Sequence, residues 1–130
     1  MTPFPHAISP QASIAEAQEM MQAHGIRHLP VCEQHTVIGI LSERDTRVAL
    51  RVDSQGRSLT VGEVCTQSPY IVGLDTPLDE VAAEMAARQI GSALVMRGDK
   101  LAGILTTTDV CRLLAQTLRE CFENEDDVVA

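Results

Sequence analysis

Tryptophan is absent from this chain of 130 residues, tyrosine occurs once, phenylalanine twice and lysine once, at Lys100. With so few aromatic rings there is no stacking platform for single-stranded nucleic acid. The core must instead come from the Ile, Leu, Val, Met and Ala that dominate the 45% hydrophobic content. Positive charge is also scarce: 10 Lys and Arg stand against 18 Asp and Glu, and the net charge of -8 opposes binding to a phosphate backbone. Nucleic acid is therefore not an expected partner. No apolar run approaches the roughly 20 residues of a membrane span, and the N-terminus lacks the basic and apolar regions of a secretory signal. The expectation is a cytoplasmic protein without a membrane partner.

Chemistry-bearing constellations are missing as well. Cys32, Cys65, Cys111 and Cys121 lie far apart, with no C-x-x-C and no His at metal-ligand spacing, which predicts free thiols and no metal site. His6, His24, His28 and His35 form no spaced ligand set, although His28 opens a strand next to Arg27. There is no G-x-S-x-G, H-E-x-x-H or glycine-rich phosphate loop, so the chain is not expected to be an enzyme.

What is present is a repeat. At an offset of 64 positions, Gly39-Ile40-Leu41-Ser42-Glu43-Arg44-Asp45 aligns without a gap on Gly103-Ile104-Leu105-Thr106-Thr107-Thr108-Asp109. The same offset pairs Glu16 with Glu80, Met21 with Met85, Ile26 with Ile90 and Val31 with Val95. One constant register over that length argues for two copies of one unit. At this length the two units are small enough to need a shared core.

Each unit reads alike. Ser13-Ile14-Ala15-Glu16 has the form of a capping box, and Ile14, Ala17 and Met21 continue it at helical spacing to a stop at Gly25. In the second unit Thr76 is the expected cap, Pro77 the first helical residue, and Leu78, Val81, Ala82 and Met85 the apolar stripe, ending near Gln89. Strands are expected over 28–32, 37–41, 92–96 and 101–105, with polar turns between the members of each pair. Further helices are expected from Glu43 to about Arg51 and from Thr107 to about Phe122, with a short one opening at Thr60-Val61-Gly62-Glu63. The units are thus 1–52 and 61–122, joined by a linker over 53–60 and followed by a frayed acidic tail over 123–130.

The sharpest motif is a hydroxyl followed three residues later by aspartate, at a strand-to-helix junction, in both units. Two readings are open. Ser42-x-x-Asp45 and Thr106-x-x-Asp109 are capping boxes with Asp in place of Glu. Alternatively, the helix N-terminus and the hydroxyl receive a phosphate, while the carboxylate accepts both hydroxyls of a ribose. Gly39 and Gly103 permit close approach of a ligand or of another strand.

On these residues the chain resembles a tandem pair of cystathionine β-synthase (CBS) domains, over about Thr2 to Leu118. The resemblance implies an α/β (α+β) fold of two βαββα repeats about a pseudo-twofold axis, sheets packed together and helices outside. It also implies two clefts for an adenosine-containing regulatory ligand: AMP, ADP, ATP or S-adenosylmethionine. Carried over, Asp45 and Asp109 are the ribose carboxylates, Ser42 and Thr106 the hydroxyls, and Ile40 and Ile104 the cleft lining. Each adenine is expected against the other repeat, with Thr66, Tyr70, Ile90 and Gly91 opposite Asp45, and Thr2, His6, Ile26 and Arg27 opposite Asp109. Arg44 adds a cation to the Asp45 cleft where the second repeat has only Thr107 and Thr108, so polyphosphate should favour the Asp45 cleft. Family members pair through helices, which implies a homodimer here, with Ala17, Met20, Met21, Val81, Ala82 and Met85 at the contact. Regulation would act on a protein not identified by the sequence. The alternative is a purely structural dimerisation module with empty clefts.

Overall fold

The computed structural model describes residues 2–3 and 6–129, with side chains over 6–123. In chain order the elements are β1 (Thr2–Pro3), α1 (Ile14–His24), β2 (His28–Glu33), β3 (Thr36–Ser42), α2 (Glu43–Val52), α3 (Val61–Val64), β4 (Thr66–Gln67), β5 (Ile71–Gly73), α4 (Leu78–Arg88), β6 (Ser92–Arg97), β7 (Lys100–Thr106) and α5 (Thr107–Val129). The repeat seen in sequence is a repeat in structure. Hairpin β2–β3 runs from His28 opposite Ser42 to Glu33 opposite Thr36, and hairpin β6–β7 from Ser92 opposite Thr106 to Arg97 opposite Lys100. Each carries a one-residue shift at the same place, after Val31 and after Val95.

The two repeats interlock through their first strands. β1 of the first repeat joins β7 of the second, Thr2 opposite Ile104, and β4 of the second joins β3 of the first, Thr66 opposite Ile40. Two sheets result, ordered β1-β7-β6-β5 and β2-β3-β4. At Gly39 this crossing is tight: a Cβ there would lie 2.8 Å from the Cys65 Sγ and from the Thr66 carbonyl oxygen. Of the two roles open to Gly39, this close approach is to a strand. After crossing, each chain segment returns to its own hairpin in parallel, Ile8 beside Val31 and Val72 beside Val95.

Strand alternation sorts the side chains into layers. Leu29, Val31 and Leu41 pack on Ile14, Ala17 and Met21 of α1, and Ala93, Val95 and Leu105 on Val81 and Met85 of α4. Ile40, Leu94 and Ile104 form a third cluster between the sheets, flanked by Val37 and Leu101. The expected layers, sheets inside and helices outside, are therefore present.

Several local expectations change. Ser13 caps α1 with a reciprocal box to Glu16, and Gly25 closes the helix in the left-handed region, as the sequence predicts. Thr76 does not cap α4. Its Oγ1 accepts the Gly73 N–H at 3.1 Å within the turn after β5, Pro77 takes the cap position, and α4 begins at Leu78. The acidic segment expected to fray continues α5 as helix to Val129. Strands β1, β4 and β5, each of two or three residues, are too short for a periodic signal and were not expected from the residue pattern. Ala17, Met21, Val81 and Met85 are buried in their own repeats, so they are not dimer-contact residues; Met20 and Ala82 are half-buried.

Candidate functional site

Both heptads sit where a hairpin strand ends and a helix begins. Glu43 N–H donates to the Arg27 carbonyl at 2.8 Å, and Thr107 N–H to the Gly91 carbonyl at 3.0 Å, so each helix is tied to the start of its own repeat's first hairpin strand. Ser42 N–H then donates to Asp45 Oδ2 at 2.9 Å, and Asp45 N–H to Ser42 Oγ at 3.1 Å. In the second repeat Thr106 N–H and Thr106 Oγ1–H both donate to Asp109 Oδ2, at 2.9 and 3.0 Å, while Asp109 N–H donates to Thr106 Oγ1 at 3.3 Å. The capping reading of the motif is realised in both copies. It does not exhaust either carboxylate, because every bond the carboxylates accept ends on Oδ2 and Oδ1 has no partner among the described residues.

The surroundings of the two heptads differ. Glu43 is shared between Arg27 and Arg47, each at 3.8 Å, which leaves Arg44 exposed and without an ion pair among the described residues. Thr107 Oγ1 instead donates to the Gly91 carbonyl at 3.1 Å, and Thr108 is exposed.

The other expected lining residues are placed as follows. Ile40 and Ile104 belong to the apolar cluster between the sheets. Thr66 is exposed on β4 beside Ile40, close to the Asp45 heptad; Thr2 holds the matching backbone position beside Ile104, and its side chain lies outside the described residues. Ile26 and Ile90 pack against the cores of their own repeats. Tyr70 packs on the second-repeat core, with the Arg88 guanidinium over its ring at 5.0 Å. His6 stacks on His24 at 3.6 Å, at the end of α1, so its ring is engaged there and not on Asp109. Arg27 and Gly91 are held through their carbonyl groups by the heptads of their own repeats.

His28, which the sequence marks as opening a strand next to Arg27, begins β2 and pairs with Ser42 of the first heptad. Its imidazole is half-buried, and burial pushes its pKa below the ordinary histidine value; the Asp45 carboxylate pulls it back up, Arg27 lowers it, and Asp109 raises it. The available sequence signal was a polar residue at the same strand position in each repeat, His28 and Ser92, each opposite a heptad hydroxyl. The Cys65 thiol, close against Gly39 of the first heptad, is pushed up by burial and by Asp45.

Grooves outlined by described residues lie away from Asp45 and Asp109 at two places. One of about 790 Å³ runs along the β5 edge past Tyr70, Leu74 and Arg97; another of about 370 Å³ lies between α1 and α2 at Met21, Arg27 and Arg47. Among the described residues there is no cluster of three metal-ligating side chains, and no helix is long and apolar enough to cross a membrane.

Comparison with known proteins agrees with this architecture. The inosine-5'-monophosphate dehydrogenase of Korarchaeum cryptofilum is 33% identical over 104 residues, 79% of this chain, but the chain spans only 21% of that enzyme's length. The CBS domain pair of protein MJ0100, solved in complex with 5'-methylthioadenosine and S-adenosyl-L-methionine, superposes with a TM-score of 0.77 at 27% identity, covering 88% of this chain and 90% of that one. CBSX2, solved in complex with AMP, gives a TM-score of 0.73 at 26% identity, covering 89% and 93%. The CBS domain family matches residues 1–51 and again 61–116, so the chain belongs to the CBS domain family and carries two copies of the domain in tandem.

Proposed function

We propose that this CBS pair is a cytoplasmic regulatory module that binds an adenosine-containing ligand (AMP, ADP, ATP or S-adenosylmethionine) in clefts built on Asp45 and Asp109, and signals to a partner protein. The observation that carries this reading is the state of the two carboxylates. Each is held rigidly by its own strand end through Oδ2, with Oδ1 left over to accept ribose hydroxyls. Solved CBS pairs with AMP and with S-adenosylmethionine support the ligand class. Arg44, unpaired among the described residues and exposed beside Ser42, supports a polyphosphate preference in the first cleft. The module acts as a homodimer through the outer face of α4 and α5, where Leu78, Leu114, Leu118 and Phe122 are exposed.

A structural dimerisation module with empty clefts is the second reading, favoured by the capping role that both motifs already perform. Calorimetric titration of AMP, ATP and S-adenosylmethionine into wild type, Asp45→Ala and Asp109→Ala separates the two. Each substitution should remove one site while thermal melts show a folded protein, and loss of Asp45 should remove the site with the higher ATP-to-AMP affinity ratio. No binding of any of the three ligands to wild type overturns the sensing reading.

A further inference from the structure

The linker between the repeats is seated on the first repeat by its backbone. Gly62 N–H donates to the Pro10 carbonyl at 2.9 Å, Val61 N–H to the Ala12 carbonyl at 2.8 Å, and Ala15 N–H to the Gly56 carbonyl at 3.0 Å. Thr60 pairs antiparallel with Ser13. The side chains follow: Val61 is fully buried in the first-repeat core together with Ile14, and Leu59 packs against it.

The offset of 64 carries this seat onto the second repeat, where Pro10, Ala12 and Ala15 become Leu74, Thr76 and Asp79. The Leu74 and Thr76 carbonyls and the Asp79 N–H have no hydrogen-bond partner among the described residues. Asp79 lies in the first turn of α4, where a helix leaves its N–H groups over. Pro77 in place of Ser13 removes nothing the seat needs, because the Ser13 N–H donates to the Glu16 carboxylate and not to the linker. Leu74 and Leu78 are exposed, where Pro10 is half-buried and Ile14 buried. The groove of about 790 Å³ runs past Leu74, Asp75 and Thr76. Two acceptors, one donor and an apolar floor are thus repeated, and the segment that fills them is not.

We propose that the second repeat carries a docking seat for a segment of another protein, and that this segment has the chemistry of the linker: an extended approach, a branched apolar residue, then glycine opening a helical turn. It gives the regulated partner a place on the module and depends on neither cleft. The linker seated on the first repeat identifies the occupant. Backbone groups make the hydrogen bonds, so selectivity falls on two side-chain positions. The residue equivalent to Val61 covers the exposed leucines. Glycine follows it because a Cβ at Gly62 would lie 3.1 Å from both the Pro10 Cβ and the Pro10 carbonyl oxygen, and Leu74 is bulkier than Pro10. A second copy does not supply the segment, since its own Thr60-Val61-Gly62 is held by its own first repeat at the high effective concentration of an intramolecular contact. Leu78 is shared with the proposed dimer contact, so the variants below leave it unchanged.

The test uses a synthetic peptide spanning Gln55 to Val64, titrated to millimolar concentration into the isotope-labelled full chain without nucleotide, with amide resonances followed residue by residue. Amides between Leu74 and Glu80 should shift, Asp79 most and downfield as its N–H gains an acceptor, while those from Ala12 to Glu16 stay in place. A peptide carrying Val61→Asp, and the protein variant Leu74→Glu, should each weaken binding several-fold. If the protein variant does not fold, the comparison of the two peptides decides. No shift between Leu74 and Glu80, or equal shifts with the Val61→Asp peptide, overturns the proposal. Shifts confined to the first repeat mean that the peptide has displaced the linker, and shifts with a halved mass in light scattering mean that a second copy already covers the seat. Either result overturns the assignment to a foreign segment. The ligand-sensing reading stands or falls separately, because no nucleotide enters this titration.

Discussion

Position for position, the two repeats agree in the middle of their first helix and differ in how far its start and their second helix are covered. Ala17 and Val81 are both buried, as are Met21 and Met85, because these residues face the sheets. Ile14 is 0% exposed whereas its counterpart Leu78 is 47% exposed, and Ala49 is 6% exposed against 39% for Leu113. Leu50 packs against the first-repeat core, whereas Leu114 is 57% exposed.

The difference comes from what covers them. The linker and α3 fold back on the first repeat: Ala15 N–H donates to the Gly56 carbonyl, Val61 N–H to the Ala12 carbonyl and Gly62 N–H to the Pro10 carbonyl, with Val61 fully buried. The Asp53 carboxylate holds this return by accepting the Leu59 and Ser58 N–H groups, which keep its pKa below the ordinary value. At the same offset from the second repeat the chain continues as α5, which does not fold back. A face that is apolar in both copies and covered in only one is the physical basis for the proposed dimer.

The strongest way to break this comparison is at the uncovered face. Leu114→Glu combined with Leu118→Glu should turn a dimer into a monomer, with the mass halved in light scattering at micromolar concentration, because charge buried in an apolar contact lacks compensation. Wild type already monomeric under those conditions would sink the proposed contact. Next in size is the pair Ile14→Ala and Leu78→Ala. The first should cost about 2–5 kcal/mol in urea unfolding at any protein concentration. The second should cost less than about 1 kcal/mol in dilute protein and more where the dimer forms. Equal costs for the two at high dilution would mean that the second repeat's outer face is covered within its own chain.

The smallest effect sharpens the role of the linker. Gly56 has φ +68°, and a Cβ there would lie 2.8 Å from the Ala15 backbone N, whereas Gly98 has φ +63° with nothing within 4 Å. Both alanine variants carry the strain of a left-handed residue, about 1 kcal/mol. Only Gly56→Ala must also push the linker off α1, for about 2 kcal/mol more. Thermal melts of the two variants that coincide would argue against a tightly docked linker.

Much of this architecture was legible in the residues. The constant offset exposed two units, the capping box Ser13 to Glu16 and Gly25 bounded α1, and the β-branched runs located both hairpins. Those signals are local, set by hydrogen bonds three residues apart or by side-chain alternation within one strand. The threonine at 76 misled because its hydroxyl satisfies a turn N–H, a choice made by the chain's path after β5. His6 was placed in a cleft by analogy, and its ring instead met that of His24.

The sequence by itself therefore determined the duplication, through one constant offset, and the two hydroxyl-to-aspartate caps, through residue type at a spacing of three, while the layers followed from the resemblance to the CBS family. Only the tertiary structure decided the interlocking of β1 with β7 and β4 with β3, pairings of two residues that carry no periodicity. It also decided which of the two repeats has its outlying apolar residues covered, because the linker and α3 fold back on the first alone. These outcomes depend on contacts between segments distant in the chain, where the same residue types meet different neighbours.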